Sequence, residues 1–410
     1  MARHTLHLLL SVFSRLFMTL GLMLTLSMSL HVGAVTVAVS SSVAKPAAAS
    51  VRAPLQVGKQ HAIKTIAGAA RLAKDGDTVE VDAGDYIADV AVWTQKNLTL
   101  RAVGGRVKLV SFGAIAEGKG IWVVRAEGFT VEGFDFTGAT TAEHNAAGIR
   151  FEKGSMTVRD CHFFNNENGI LTSNSPELVL RIEGSEFAHN GHGDGRSHNL
   201  YVGAIAQLWV SGSYFHHARG GHLLKSRAAV NHIFYNRLTD ELGGHASYEL
   251  EFPTGGIAYV VGNIIEQGSQ TENPHMISFG AEGYVGPRHG LYLVNNTLVD
   301  DRPSGGIFLR VKPGTVALKV INNLLVGTDR IELAGAGDFK SNYSVDWGEF
   351  EMAVRGDYRL KPTSRLRGAA VSSGQVNGLN LMPEREYSHP RKSVALAMAA
   401  RHPGALQSSK

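Results

Sequence analysis

Short runs of β-forming residues recur through the middle of the chain, and each run has an apolar residue at its second position. Successive runs begin 21 to 31 residues apart. This spacing is too short for alternating strand and helix units, and it is too regular for a sandwich of sheets. It predicts a solenoid in which each turn buries one row of side chains and pairs its backbone with its neighbours. The runs begin at Gly120, Gly148, Gly169, Asn199, His222, Ser247, His275 and Gly306.

The second residues of these runs form an almost unbroken apolar column, which we predict to be core. Because successive side chains of a strand point to opposite faces, the third and fifth positions should face solvent. In the middle turns those outward positions carry Tyr201, Glu249, Glu251 and Arg310. The predicted core column consists of Ile121, Ile149, Ile170, Leu200, Leu223, Tyr248, Met276 and Ile307.

One asparagine per turn follows a β-rich run in the second half of the repeat. These residues are Asn236, Asn263, Asn296 and Asn323. Asparagine tolerates the left-handed backbone conformation that a sharp corner requires. We therefore predict that these asparagines occupy the same corner of successive turns and adopt that conformation.

An amphipathic segment over Ala62–Ala73 precedes the repeats and predicts a helix that caps the first turn. That helix, the strand beginning at Thr78, the Gly84-Asp85-Tyr86 turn and the repeats to about Val345 resemble the right-handed parallel β-helix superfamily. This superfamily includes pectate lyases, chondroitinase-B-like and alginate lyases, polygalacturonases and mannuronan epimerases. The resemblance implies an all-β, right-handed parallel β-helix over residues 55–345.

The two ends of the chain have a different composition from the repeats. Residues 1–34 combine basic residues with an apolar run and then small residues, which predicts a signal peptide. The apolar run would alternatively serve as a membrane anchor. We interpret residues 35–54 as a linker, 346–382 as an extension packed on the end of the β-helix, and 383–410 as a basic flexible tail. A cleaved signal predicts a secreted or periplasmic protein without stable membrane insertion.

Composition excludes several classes of protein. Lys and Arg number 40 against 36 Asp and Glu, so the chain lacks the strong positive field that binds nucleic acid. The single cysteine, Cys161, rules out an intramolecular disulfide. No glycine-rich phosphate loop precedes a helix, and we expect no organic cofactor and a monomeric protein.

Histidines and arginines concentrate between His189 and His245, over three consecutive turns. Such a concentration of titratable and cationic groups predicts a groove for an acidic ligand. His198, His222 and His245 each stand just before or near a strand, so we expect them along one edge of one face. No zinc motif is present, so a zinc site is not predicted. The residues expected to bind substrate are Arg196, His217, Arg219, His245, His275 and Arg310.

Lys225 interrupts an apolar strand. Strict alternation from Leu223 points Lys225 inward, where an unpaired ammonium group is very costly. Either the strand is bulged, or Lys225 occupies an environment that disfavours its charge, or the predicted column is misaligned and Lys225 is a surface cation.

The stretch Leu224-Lys225-Ser226-Arg227, followed by Asn231 and Tyr235-Asn236, resembles one coil of chondroitinase-B-like and alginate lyases. In that family the lysine is the base that removes a proton. Those lyases have a catalytic arginine on the next coil, where this chain has Glu249-Leu250-Glu251-Phe252. Arg227 is the candidate to replace it.

Glu249 and Glu251 are separated by one residue on a predicted strand, which places their Cα atoms about 6.6 Å apart on one face. Such a pair suits Ca²⁺, which prefers oxygen ligands. It also suits two like charges sharing one proton. Solvated surface carboxylates are the third interpretation.

These observations favour a polysaccharide lyase that cleaves an acidic, uronic-acid-containing polymer by β-elimination. Lys225 is the predicted base and Tyr201 or His198 the acid, with His222 as a further catalytic candidate. Arg227, or a cation on Glu249 and Glu251, would neutralise the uronate carboxylate. The alternatives are a uronate C5-epimerase, an inverting glycoside hydrolase using Glu249 and Glu251, and a non-catalytic carbohydrate-binding β-helix.

Overall fold

The computed structural model describes residues 52–408, except residues 272, 315, 329, 333 and 334. The predicted signal peptide and all but the last three residues of the predicted linker lie outside this part. Within it, no helix is both long and apolar enough to cross a membrane.

Twenty-nine strands form one parallel sheet that winds through about ten stacked turns, which confirms the predicted all-β parallel β-helix. The winding creates three faces, here called A, B and C. Four long strands pass from one face to the next. Thr78–Ile87 and Thr99–Val110 join faces B and C, and Gly120–Glu132 and Ala147–Arg159 join faces A and B.

The remaining strands each belong to one face. Face A contains Ala91–Trp93, Asn168–Thr172, Leu200–Val202, Leu224–Ser226, Leu250–Phe252, His275–Phe279, Ile307–Val311 and Arg330–Glu332. Face B contains Leu55–Val57, Ser175–Glu183, Ile205–Ser211, Val230–Phe234, Ile257–Val261, Gly290–Val294, Ala317–Ile321 and Asp338–Lys340. Face C contains Phe134–Thr137, His162–Phe164, Glu186–Ala188, Tyr214–His216, Arg237–Thr239, Ile264–Gln267, Thr297–Asp300, Leu324–Val326 and Tyr343–Val345.

The helix near the start of the β-helix spans Ile66–Leu72 and is shorter than the predicted Ala62–Ala73. Thr65 caps it by accepting a hydrogen bond from the Gly68 amide. Asp89 accepts hydrogen bonds from the Ile66 and Ala67 amides at 2.6 and 2.8 Å, so free amides of the first turn find acceptors. The helix buries Ile66 and Ala69 in the core of the first turns.

Aromatic rings stack inside the β-helix along face C. Phe136, Phe163, Phe187 and Phe215 come from successive turns, and their ring centroids are 4.9, 4.7 and 4.7 Å apart. Because neighbouring parallel strands lie about 4.8 Å apart, the same position of each turn brings the rings into direct contact. The stack continues the apolar core from one turn to the next.

The predicted apolar column on face A is right only at Ile149, Ile170 and Leu200, because Trp122 rather than Ile121 pairs with Ile149 and the later turns are shifted. Ile149, Ile170 and Leu200 pair in register, as predicted. The next partners are Leu224, Leu250, Ile277 and Leu309 rather than Leu223, Tyr248, Met276 and Ile307. In each of these turns the core residue lies one or two positions later in the chain than predicted.

This shift shows that the inward orientation predicted for Lys225 is wrong. Leu224 occupies the core position, and Lys225 therefore points outward. Of the three interpretations given for Lys225, the misaligned column is therefore the correct one. The Lys225 ammonium forms the ion pairs described below instead of lying unpaired in the core.

The four asparagines stack at the corner between faces B and C, as predicted. After Asn236, each side-chain oxygen accepts hydrogen bonds from the backbone and side-chain amides of the asparagine one turn earlier. Asn263 receives them from Asn236 at 2.9 and 3.0 Å, and Asn296 receives them from Asn263 at 2.9 and 3.0 Å. The stack ends at Asn342, and Ser213 and Ser185 extend it toward the N-terminus.

The predicted reason for these asparagines is wrong. The left-handed conformation belongs to the residue before each of them, namely Tyr235, Gly262, Asn295 and Asn322. The asparagines themselves are selected because one amide side chain both accepts and donates along the stack. The ladder saturates backbone amides that the corner would otherwise leave unpaired.

The C-terminal segment corrects two predictions. Residues 346–382 pack along faces B and C and not on the end of the β-helix. Phe350, Tyr358 and Leu360 cover face C, and Leu381 covers face B. Residues 383–408 are not a flexible tail, because strands Arg385–Ser388 and Lys392–Ala395 form an antiparallel pair. The other elements here are strands Phe350–Met352, Asp357–Leu360, Gln375–Val376 and Leu379–Asn380 and 3-10 helices Trp347–Glu349 and Ala353–Arg355.

Asn263→Ala should lower the free energy of unfolding by about 3 kcal/mol or more, because it leaves several buried amide and carbonyl groups without partners. Denaturant unfolding measures the change. The control is Asn145→Ala, at an exposed turn position, which should change stability little. Equal, small effects of both substitutions would contradict the role of the ladder.

Candidate active site

The outward side chains of face A form a column of polar and charged groups in the middle turns. Tyr201, Lys225, Glu251, Ser278 and Arg310 pair in register on five successive strands. Neighbours in this column are therefore about 4.8 Å apart at the backbone. The column places an ammonium between a phenol on one side and a carboxylate on the other.

Lys225 and Arg227 together hold one carboxylate. Glu282, from the loop after strand His275–Phe279, lies 3.2 Å from Lys225 Nζ, and both its oxygens lie 2.7 Å from Arg227 Nη2. Burial alone would raise the pKa of Glu282, but the hydrogen bond from Arg227 and the charge of Lys225 lower it below its usual range. The Lys225 side chain is only 13% exposed, whereas that of Glu282 is 45% exposed.

Tyr201 lies beside both cations. Arg227 Nη1 donates a 2.7 Å hydrogen bond to the Tyr201 hydroxyl oxygen. The guanidinium lies 5.3 Å and the Lys225 ammonium 5.9 Å from the centre of the Tyr201 ring. The phenol is thus fixed by charge-assisted contacts next to the bound carboxylate.

Two buried histidines line the edge of face A before these strands. The His222 backbone amide donates to His198 Nδ1 at 3.0 Å, so neutral His198 carries its proton on Nε2. Burial, and then the charges of His222 and Lys225, hold the pKa of His198 well below its usual value. The His198 ring meets Tyr201 edge-on at 4.8 Å.

His222 connects this edge to the outward column of face A by its contact with Glu251. Its Nε2 lies 2.8 Å from Glu251, which also pairs with Lys225 at 3.1 Å. Burial lowers the pKa of His222, and we assign a neutral ring that donates from Nε2 to an ionised Glu251. Burial opposes ionisation of Glu251, but the hydrogen bond from His222 and the charge of Lys225 lower its pKa overall. Glu251 thereby positions both His222 and Lys225.

The turn that carries Arg227 is held by hydrogen bonds between buried side chains and its backbone. Ser226 Oγ donates to Asn231 Oδ1 at 2.6 Å, and Asn231 Nδ2 donates to the Ala228 carbonyl at 3.0 Å. Ser226 and Asn231 are fully buried. The Lys-Ser and Asn positions of the resembled lyases thus form one turn, which holds Arg227 against Tyr201.

Glu249 does not share the surroundings of Glu251. Glu249 is fully buried, and it faces Thr271, whose hydroxyl also contacts Asp240. Burial, and then the charge of Asp240, raise the pKa of Glu249 well above its usual value. Glu249 is engaged with Thr271 in a fully buried position, and Glu251 is already held by a histidine and a lysine. The two residues do not fit the predicted calcium site, nor do they face each other as a hydrolase pair.

The other predicted binding residues divide between two places. His275 and Arg310 lie on face A, close to the carboxylate of Glu332. Arg196, Arg219 and His245 are exposed in the turns that lead from face C to face A.

His217 lies outside the cluster around Lys225. Its Nδ1 is 2.6 Å from His216 Nδ1, and its ring is 4.6 Å from that of His189. His198 and His222 lie side by side at the predicted edge, and the next ring in contact with His222 is that of Tyr248, at 4.9 Å, whereas His245 is exposed.

Sequence reasoning missed Tyr248 and Glu282. Tyr248 was placed in the core column, although its aromatic ring next to a histidine-rich turn could have suggested a position at the edge. Glu282 has no signal in the sequence, because it reaches Lys225 from a loop 57 positions further along the chain.

No protein-family model matches the chain, and no curated protein matches its sequence. The structure is similar to a crystal structure of pectate lyase Pel9A, with a TM-score of 0.57 and 11% identity. The match covers 87% of this chain and 97% of that one. An alginate lyase from Paenibacillus sp. str. FPU-7 matches with a TM-score of 0.40 and 12% identity, over 68% of this chain and 96% of that one. The chain therefore has the pectate-lyase-like parallel β-helix fold.

Asp240→Asn should stabilise the protein at neutral pH but not in acid. Burial raises the pKa of Asp240 to about 6 from an ordinary 3.8. A raised pKa favours the folded state below about pH 4, and this advantage is lost as the pH rises through 6. The free energy of unfolding of the variant, relative to that of the wild type, should therefore rise by about 3 kcal/mol between pH 4 and pH 7. Denaturant unfolding at several pH values measures this change.

The control for this prediction is Asp338→Asn. Hydrogen bonds from Lys340 and Lys319 lower the pKa of Asp338, so this variant should instead lose stability relative to the wild type as the pH rises. A pH-independent effect of Asp240→Asn would show that Asp240 is not buried as described.

Proposed function

We propose that the protein is a polysaccharide lyase that cleaves a uronic-acid-containing polymer by β-elimination. The observation that carries the proposal is the carboxylate of Glu282 held jointly by Lys225 and Arg227 beside Tyr201. The carboxylate of a uronate sugar has the same charge and shape, so it could replace Glu282 on these two cations. A cleavable signal peptide would make the enzyme secreted or periplasmic.

The three requirements of β-elimination have candidate groups in this cluster. The substrate carboxylate must be neutralised, the C5 proton removed and the leaving C4 oxygen protonated. Arg227 supplies the positive charge that neutralises the substrate carboxylate. Tyr201, whose hydroxyl Arg227 fixes, is the candidate acid.

Lys225 remains the candidate base, on the condition that the ammonium group held in these ion pairs first loses a proton. An ammonium must lose its own proton before it can accept one. Lys225 is paired with both Glu251 and Glu282, and a uronate carboxylate that displaces Glu282 brings an equal charge. The base is therefore Lys225 after it has released its proton to solvent, while Arg227 keeps the positive charge that binds the substrate carboxylate.

The shape of face A supports a linear polymer as the substrate. The column from Tyr201 to Arg310 follows the stacking direction of the turns, so cations and polar groups repeat along a straight path. The C-terminal segment packs on faces B and C. The similarity to Pel9A supports the scaffold only, and the substrate class rests on the cation pair.

A panel of polyuronates and glycosaminoglycans tests the proposal, with the ultraviolet absorbance of unsaturated uronate as the readout. Absorbance that rises with at least one acidic polymer would support it. Chain cleavage without unsaturated products would indicate a hydrolase, and exchange of the C5 hydrogen without cleavage would indicate an epimerase. Binding without any reaction would indicate a carbohydrate-binding protein.

Lys225→Met and Tyr201→Phe should each lower kcat by about two orders of magnitude or more, as the loss of a general base or acid does. Tyr201→Phe should keep the wild-type melting temperature, whereas Lys225→Met should still fold but melt at a lower temperature, because it leaves the buried Glu251 with His222 as its remaining partner. Steady-state kinetics and circular dichroism measure the two effects. Near-wild-type kcat in a variant would remove that residue from the mechanism.

Glu282→Gln should lower KM for the polymer several-fold, because the substrate no longer competes with an internal carboxylate for Arg227 and Lys225. The matched control is Glu332→Gln, which removes a carboxylate on face A close to Arg310 rather than Lys225. A raised KM in Glu282→Gln would instead identify Glu282 as a residue that binds the substrate.

A further inference from the structure

Three side chains of metal-binding type meet at the edge of face A, in turns before that of Lys225. They are His144, Glu167 and His192, from the connections that precede strands Ala147–Arg159, Asn168–Thr172 and Leu200–Val202. One potential ligand atom from each lies within 4.8 Å of the other two. Within the described part of the chain, this is the one such group of three.

Glu167 is the fixed member of the group. It is 3% exposed, and its carboxylate accepts hydrogen bonds from the Ala146 amide at 2.7 Å and the Thr141 amide at 3.1 Å. These donors hold the carboxylate in one orientation. Its Oε1 lies 3.3 Å from His144 Nδ1.

This separation suits two ligands of one metal ion better than a hydrogen bond. Hydrogen bonds between nitrogen and oxygen are commonly about 2.9–3.0 Å long. In a tetrahedral zinc site with bonds of about 2.0–2.1 Å, neighbouring ligand atoms are about 3.3 Å apart. Glu167 and His144 already have that spacing.

His192 can complete the group if its ring rotates out of the stack with His144. Its ring lies parallel to that of His144, with the centroids 3.4 Å apart. Its loop contains Gly191, Gly193 and Gly195, all in the left-handed region, and the His192 amide is anchored to Ser197 Oγ. The His144 side chain is 42% exposed, and His192 is exposed, so an ion could enter from solvent.

We propose that His144, Glu167 and His192 bind a divalent transition-metal ion, most suitably Zn²⁺, with a fourth position open to solvent. Two imidazoles and one carboxylate form a ligand set that favours zinc over Ca²⁺, which prefers oxygen ligands alone. The site is independent of the proposed lyase activity, because it shares no residue with the cluster around Lys225. It also differs from the calcium site predicted at Glu249 and Glu251.

Calorimetric titration of the untagged, metal-free protein with Zn²⁺ tests the proposal, with Ca²⁺ as the comparison ion. We expect one saturable Zn²⁺ per chain, a higher melting temperature with Zn²⁺, and no comparable response to Ca²⁺. His192→Ala, on an exposed loop, should fold normally and weaken Zn²⁺ binding at least about tenfold. His144→Ala should do the same.

The control variant is His245→Ala, which removes an exposed histidine from a later turn at the same edge and should bind Zn²⁺ as the wild type does. Absence of saturable Zn²⁺ binding would overturn the proposal. So would unchanged Zn²⁺ affinity in both His192→Ala and His144→Ala, or stronger binding of Ca²⁺ than of Zn²⁺.

Discussion

Every feature of this protein depends on the in-register stacking of successive turns through parallel backbone hydrogen bonds. The asparagine ladder from Asn236 to Asn342 maintains this register at the corner between faces B and C. Because each turn lies about 4.8 Å from the next, residues some 25 positions apart in the chain become neighbours. Tyr201, Lys225 and Glu251 make contact for this reason, and so do His144, Glu167 and His192.

Burial sets the charge of the groups that the stacking brings together. Glu251 and Glu282 stay ionised because cationic or hydrogen-bond partners offset the cost of removing them from water. Glu249 and Asp240 lack a cationic partner of that kind in the described contacts, and burial raises the pKa of each. The protein therefore separates an outer layer of paired charges, which can recognise an acidic ligand, from carboxyl groups beneath it whose ionisation burial opposes.

The fold could be predicted because its signals are local and repeated. The spacing of the apolar runs and the corner asparagines predicted the β-helix between residues 55 and 345. The register could not be predicted beyond Leu200, because the turns before Leu224 and Leu250 differ in length, and one extra residue reverses the direction of a side chain. Lys225, Arg227, Tyr201, His198 and His222 were all predicted, and the structure places them in one cluster. Glu282 was missed because its contact with Lys225 depends on a distant loop.

The most direct test of the proposed lyase site is a crystal structure of the Tyr201→Phe variant with a polyuronate oligosaccharide. We expect a uronate carboxylate within hydrogen-bond distance of Arg227 and Lys225, with Glu282 displaced and the sugar chain lying along face A. An oligosaccharide bound elsewhere, with Glu282 still in contact with Arg227, would contradict it.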